Sequence, residues 1–422
     1  MNEREELRRR LNRLGRRKPS GRSTRGKARR STAQVDLPGE EIETSAGRTF
    51  RIEQAYPADH RHGRRRLDEL SNFPPEFAAK VAQDPSLGQV GLNDLVFLDT
   101  ETTGLVGGAG TLAFLVGLGF FTDQGFELRQ YFLRDPGEEL SMLLALERDL
   151  SGRAAFVTFN GRTFDVPLLE MRYSIGARKQ WSLTTWPHFD LLYASRRLWR
   201  RSLPNCKLST IEMSVLEVER TDEDVPGELI PGMYLDYLRS GDAGEMRKVI
   251  YHNAVDILSL VGLTAEILQR HDEGEVPGLE PGEALGLARW HQGAGRLELA
   301  QQAYRTALEA DNVELKVEAL RHYTLQLKRS DRRDEAVTGW EQWHELAPGD
   351  PQPCIELAMY YEWYQRDYVL AQRWAQEALS CLSHWPKGWR RDRIWEQVVH
   401  RIRRISGKLE RAAQPPGTPR DD

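Results

Sequence analysis

The chain has little cysteine. Its three thiols, Cys206, Cys354 and Cys381, are odd in number and far apart in sequence. They fall into no zinc or disulfide spacing, which excludes a disulfide-stapled scaffold and fits a reducing cytoplasm. Long apolar runs are also missing. A membrane helix needs roughly 20 consecutive apolar residues. The longest candidate here, residues 112–121, is short and punctuated by glycine, like a buried strand. No apolar stretch follows the charges at the amino terminus, so a secretory signal is not expected. These absences point to a cytoplasmic chain with no membrane partner. At 422 residues it is too long for one ordinary core, and two or more units are expected.

The net charge of −4 hides an asymmetry. Residues 1–30 carry thirteen Arg and Lys against three Glu, so the rest of the chain is strongly acidic. A basic tail on an acidic body suggests a disordered arm that contacts phosphates or keeps the chain soluble. A second basic patch, Arg196, Arg197, Arg200, Arg201 and Lys207, is a candidate for the same work or a solvated helix face.

Residues 1–48 read as a disordered tail and residues 49–90 as a lead-in of loops and short helices. Over residues 91–272, strand and helix signals alternate. Strands are expected at 95–98, 111–121, 126–133 and 154–159, and helices at 140–150 and 166–173. That pattern describes an α/β unit, a mixed sheet flanked by helices. Residues 280–400 are different: helical, rich in Trp and Tyr, and without strand signals. Ala300/Tyr304/Ala307, Ala336/Trp340/Trp343 and Ala371/Ala375/Ala378 repeat one spacing at intervals of 36 and 35 residues. This is close to the roughly 34-residue helix-turn-helix unit of tetratricopeptide arrays, and the stripe reads as packing between stacked helices. A protein partner on these repeats is possible. Residues 401–422 read as a second disordered tail.

Three motifs carry the chemistry. In Val96-Phe97-Leu98-Asp99-Thr100-Glu101-Thr102-Thr103-Gly104-Leu105 an apolar strand ends in two carboxylates spaced i, i+2. Strand side chains alternate faces, so Asp99 and Glu101 share one. Two carboxylates there repel and lose solvation unless a cation sits between them, an arrangement suited to Mg²⁺. In Thr158-Phe159-Asn160-Gly161-Arg162-Thr163-Phe164-Asp165 a strand delivers Asn160 and then, after a turn, Asp165 at a helix start. Alone, Asp165 reads as a helix cap; beside the first motif it reads as a metal ligand. In Tyr251-His252-Asn253-Ala254-Val255-Asp256, His252 and Asp256 are i, i+4 and share a helix face. Asp190, after an aromatic run, reads as a buried cap.

Together these motifs resemble the DEDD exonuclease superfamily on the ribonuclease H-like fold. The specific resemblance is to YprB-like bacterial proteins, which join such a domain to tetratricopeptide-type repeats. It covers roughly residues 90–270 and, more loosely, the helical region. It implies a nuclease, a 3′–5′ exonuclease that hydrolyses DNA or RNA with two divalent cations, Mg²⁺ or Mn²⁺. Asp99, Glu101, Asp165 and Asp256 would hold the ions and His252 would take a proton from water. Thr100, Thr102, Leu105, Asn160 and Phe164 would hold the terminal nucleotide. One departure stands out. The superfamily's subtypes place His five residues, or Tyr four residues, before the last Asp. Here His252 is four before Asp256 and Tyr251 is five before it. Either side chain could reach the water, and His252 is favoured by its shared face with Asp256. The competing expectations are a nucleic-acid-binding scaffold protein and a structure-selective endonuclease.

Overall fold

A computed structural model describes residues 37–104, 110–221, 223–272 and 279–413. Leu105, residues 107–109 of the glycine run and most of the basic tail lie outside these residues. Seven strands form one mixed sheet in the order β1-β2-β7-β6-β5-β8-β9. These are β1 (Glu40–Thr44), β2 (Gly47–Tyr56), β5 (Leu95–Thr102), β6 (Ala113–Thr122), β7 (Gly125–Phe132), β8 (Ala155–Thr158) and β9 (His188–Asp190). A short hairpin, β3 (Arg61–His62) and β4 (Arg65–Arg66), stands apart. Antiparallel pairing runs from β1 to β5, and β5–β8–β9 are parallel.

The helices of this part are α1 (Pro75–Ala82), α2 (Glu139–Leu150), α3 (Asp165–Gly176), α4 (Leu191–Trp199), α5 (Ile230–Ser240) and α6 (Met246–Asp272). Alternation along β5 sorts them by face. Val96 and Leu98 share a core with residues of α2, α3 and α5. Phe97 packs instead with α1, α4 and most of α6. Asp99 and Glu101 continue the Phe97 side of the strand, so they look toward α6. Two glycines let α6 come down onto the sheet. A Cβ on Gly119 would lie 2.6 Å from Ile257 Cγ2, and one on Gly117 would lie 2.3 Å from Asn253 Oδ1.

Seven helices follow: α7 (Pro281–Gly293), α8 (Leu297–Ala307), α9 (Val313–Arg329), α10 (Arg333–Leu346), α11 (Pro351–Tyr360), α12 (Tyr368–Ser383) and α13 (Trp389–Ala413). They pack as consecutive pairs, α7 with α8, α9 with α10 and α11 with α12. The three repeated triplets lie on α8, α10 and α12, and all nine side chains are buried. The first pair is fastened to the sheet domain. Trp199 Nε1 donates to Glu283 Oε1 at 3.0 Å, and Gly286 leaves room for the Arg197 carbonyl.

The structure corrects four expectations. The segment read as a disordered tail contains β1 and the start of β2. The lead-in is part of the fold, because Phe50 and Ile52 of β2 enter the core and β2 pairs with β7. The carboxy-terminal stretch read as disordered from residue 401 is helical to Ala413. There Ile405 is buried, and Arg401, Arg404 and Lys408 converge on Glu362, which is 1 % exposed. Undocking that helix would leave the buried Glu362 carboxylate without its three cations, a strongly destabilising loss. Finally, Cys354 and Cys381 are neighbours in space. Their sulfurs and a ring nitrogen of His344 lie within 4.8 Å of one another, a grouping of potential metal ligands that sequence spacing concealed.

Candidate active site

Asp99 and Glu101 stand at the carboxyl end of β5, where the pairing with β6 slips between Glu101 and Thr102. Asp99 lies opposite Gly117. The missing side chain there admits Asn253 of α6, whose Nδ2 donates to Asp99 Oδ2 at 2.7 Å. Gln130 Nε2 donates to Asn253 Oδ1 at 2.8 Å and to the Ile250 carbonyl at 2.8 Å. The acceptor is thus turned so that the amide must present N–H to the carboxylate.

Asp165 is the first residue of α3, not its cap; Phe164 holds the cap position and makes no side-chain cap bond. Asp165 arrives from the opposite face, where its Oδ1 accepts from Thr100 Oγ1. Thr100 therefore spends its side chain holding a carboxylate. Thr102 Oγ1 donates to the Gly104 carbonyl at 2.9 Å. Both threonine side chains serve the protein internally, which leaves only their main chain for the nucleotide contacts expected of them. The turn before Asp165 is fixed by Asp190. Its carboxylate accepts from the backbone N–H of Asn160 at 2.8 Å and Arg162 at 3.2 Å, while capping α4 through Leu192 N at 3.1 Å. Asn160 takes a left-handed φ of 69° in that turn. Phe164 is 52 % exposed beside Asp165.

His252 and Asp256 project from one face of α6. His252 Nε2 lies 3.8 Å from Glu101 Oε1 and 3.6 Å from Asp256 Oδ2. Its Nδ1 lies 2.7 Å from Asp224 Oδ1. Arg220 Nη1 lies 3.0 Å from the same Nδ1, and the two groups hold the ring with its other nitrogen toward the acidic group. The Tyr251 hydroxyl sits elsewhere, accepting from the Thr221 N–H at 3.4 Å.

Sequence reading missed Arg220. It reaches Asp256 Oδ1 through Nη2, Glu212 at 2.8 Å through both Nε and Nη2, and Asp224 Oδ1 at 3.2 Å through Nη1. Burial works against its charged form, but Asp256 and Glu212 together hold the guanidinium above its usual value. Glu212, Asp224, Asn253 and Gln130 were missed as well. Asn253 sits inside the third motif without a signal of its own, and Arg220 has Asp224 at i, i+4, but the contacts to Asp99, Gln130 and Asp256 span 36 to 154 residues, where spacing carries no signal.

The electrostatics are unbalanced. Burial holds the Asp99 carboxyl well above the usual range, and Asp256 and Asp165 add to it. Glu101 is raised likewise by burial, then by Asp99, Asp256 and Asp165. Burial pushes Asp165 up to about 6. Four carboxylates thus share one small region, and among the described residues the guanidinium there lies on Asp256. The donor set is all oxygen apart from one imidazole, the chemistry that hard divalent cations select. By donor chemistry these residues suit a hard divalent cation.

Comparison with known proteins places the same region. A family model described as RNase_H superfamily matches residues 96–268. The chain is 31% identical over 343 residues to YprB of Bacillus subtilis (strain 168), an uncharacterized protein. That match covers 78% of this chain and 81% of the relative.

Proposed function

We propose, from the premise that the chain belongs to the RNase_H superfamily in the family of YprB-like proteins, that it is a metal-dependent nuclease acting as a 3′–5′ exonuclease. The observation that carries the reading is the cluster of Asp99, Glu101, Asp165 and Asp256, at least partly buried and short of positive charge. These four side chains would hold two divalent cations, Mg²⁺ or Mn²⁺. When bound, such ions make water a nucleophile near neutral pH and stabilise the departing alkoxide.

The remaining work belongs to the chain's own residues. His252, turned by Asp224, takes the proton of the attacking water at Nε2. Asn253 keeps Asp99 in place, and Arg220 fixes Asp256 by Oδ1 while Oδ2 faces the site. The exposed ring of Phe164 stacks on the terminal base, and the turn at Asn160 approaches its sugar.

The test is incubation of the full chain with end-labelled single- and double-stranded DNA and RNA, with and without Mn²⁺. Metal-dependent release of mononucleotides from the 3′ end is the expected result. Internal fragments would instead make it an endonuclease. Binding without cleavage in any metal would leave only a binding role.

A further inference from the structure

A cavity lies away from the carboxylates, where α4 meets the first helical pair. It encloses about 730 Å³ and is lined by Lys80, Arg196, Arg197, Arg200, Arg201, Arg289 and Arg296, with no carboxylate among the lining residues. Some of these cations build the walls. Arg197 donates to the Val81 carbonyl at 3.0 Å. Arg201 and Arg289 share Glu318, and Arg296 lies 5.4 Å from the rings of Phe77 and Trp290. Lys80, Arg196 and Arg200 are different: they are exposed and form no ion pair among the described residues. Three uncompensated charges converging on one concave surface repel each other and attract a polyanion. Tyr193, 50 % exposed, lies one turn before Arg196 on α4 and adds a flat ring to the rim.

We propose that this cleft is a track for the backbone of single-stranded nucleic acid, held by Lys80, Arg196 and Arg200 with a base stacked on Tyr193. A positive groove with an aromatic platform is the usual device for gripping a single strand without reading its sequence. The cavity has the size of a small-molecule pocket, roughly 300–1,000 Å³. Its position also fits. Asp190 starts α4 and pins the turn that leads to Asp165. Arg196 and Arg200 follow on the same rod, about 9–15 Å along the axis at 1.5 Å per residue. One strand can therefore span cleft and carboxylates, with part of the grip supplied by the helical region. The proposal rests on the nuclease reading and extends it to substrate class.

The test uses the full chain carrying Asp99→Asn to prevent cleavage, with a fluorescent single-stranded 15-mer and anisotropy at several salt concentrations. Adding Lys80→Ala, Arg196→Ala and Arg200→Ala should weaken binding at low salt by 10-fold or more, with an unchanged melting temperature. At about 0.7 per phosphate contact on single strands, the slope of log K against log salt should shrink by about two. Tyr193→Ala should weaken binding without changing the slope. Unchanged affinity and slope in the triple variant, with hydrolysis by the parent intact, would overturn the cleft while leaving the nuclease reading standing. Equal losses on a blunt duplex would overturn the single-strand assignment. A parent chain that neither binds nor cleaves any oligonucleotide would sink the underlying reading.

Discussion

Asn253→Ala separates the support of the site from its ligands. Asn253 Nδ2 gives Asp99 a hydrogen bond of 2.7 Å inside a partly buried cluster. Bonds to charged groups contribute about 1.5–3 kcal/mol, and the carboxylate left behind is not resolvated. Loss of about 2–3 kcal/mol of stability is expected in urea denaturation followed by tryptophan fluorescence. Cleavage of an end-labelled oligonucleotide in Mn²⁺ should fall about 10–100-fold, the usual effect of removing a group that orients a metal ligand. Gly117→Ala gives an independent route to the same damage. Its Cβ would fall 2.3 Å from Asn253 Oδ1, so the amide must leave its place. Overpacking of this kind costs about 1–3 kcal/mol. The two variants should look alike, and combining them should add little, because both act through one contact. Full activity in either, with Mn²⁺ dependence unchanged, would refute the claim that α6 positions Asp99.

Three further outcomes are expected. Arg220→Met strips the cation from Glu212, which is 1 % exposed, and should destabilise the chain by about 3–5 kcal/mol in the same denaturation assay; a loss under 1 kcal/mol would show that Glu212 does not depend on it. His252→Ala should slow hydrolysis at neutral pH by about 10²-fold or more, and Tyr251→Phe should leave it nearly unchanged; the reverse order would move the proton acceptor to Tyr251. Burial pushes His271 down to about 3, below the unfolded value of about 6.5. Its contribution is therefore complete above pH 6.5 and is lost as pH falls toward 3, by at most about 1.4 kcal/mol per unit. His271→Gln should flatten the pH profile of the melting temperature over that window, and a profile identical to the parent's would count against it.

The strand-and-carboxylate part of the site was legible because it is local. An apolar strand followed by i, i+2 acids needs only the two-residue period of β structure to put Asp99 and Glu101 on one face, and β5 does so. His252 and Asp256 needed only the helical period. The β6 run at residues 113–121 was readable as a buried strand from continuous apolarity, and all nine residues are buried, two of them glycines. The edge of the sheet was not readable. In β1 the sequence Glu-Glu-Ile-Glu-Thr offers one apolar residue, and its place is fixed by pairing with β2. Arg220 was hidden for a related reason. Its value comes from Glu212, Asp224 and Asp256 meeting around it, and a lone arginine in a polar stretch has no period to betray it. Gly117 reads as a strand weakener until Asn253 is seen filling the space above it. The same blindness applies to Cys354 and Cys381, which helix packing brings together with His344.

The central claim is that the partly buried carboxylates at the end of β5 hold the cations that cut a phosphodiester. The most direct measurement compares the parent with Asp99→Asn on an end-labelled oligonucleotide, titrating Mn²⁺ or Mg²⁺ and following melting temperature in the same samples. The parent should cleave only with metal and melt higher as metal is added. Asp99→Asn should stay folded, lose cleavage, and lose most of the metal-dependent rise in melting temperature. Cleavage by Asp99→Asn at the parent's rate, or a parent rate indifferent to metal and chelator, would contradict the account.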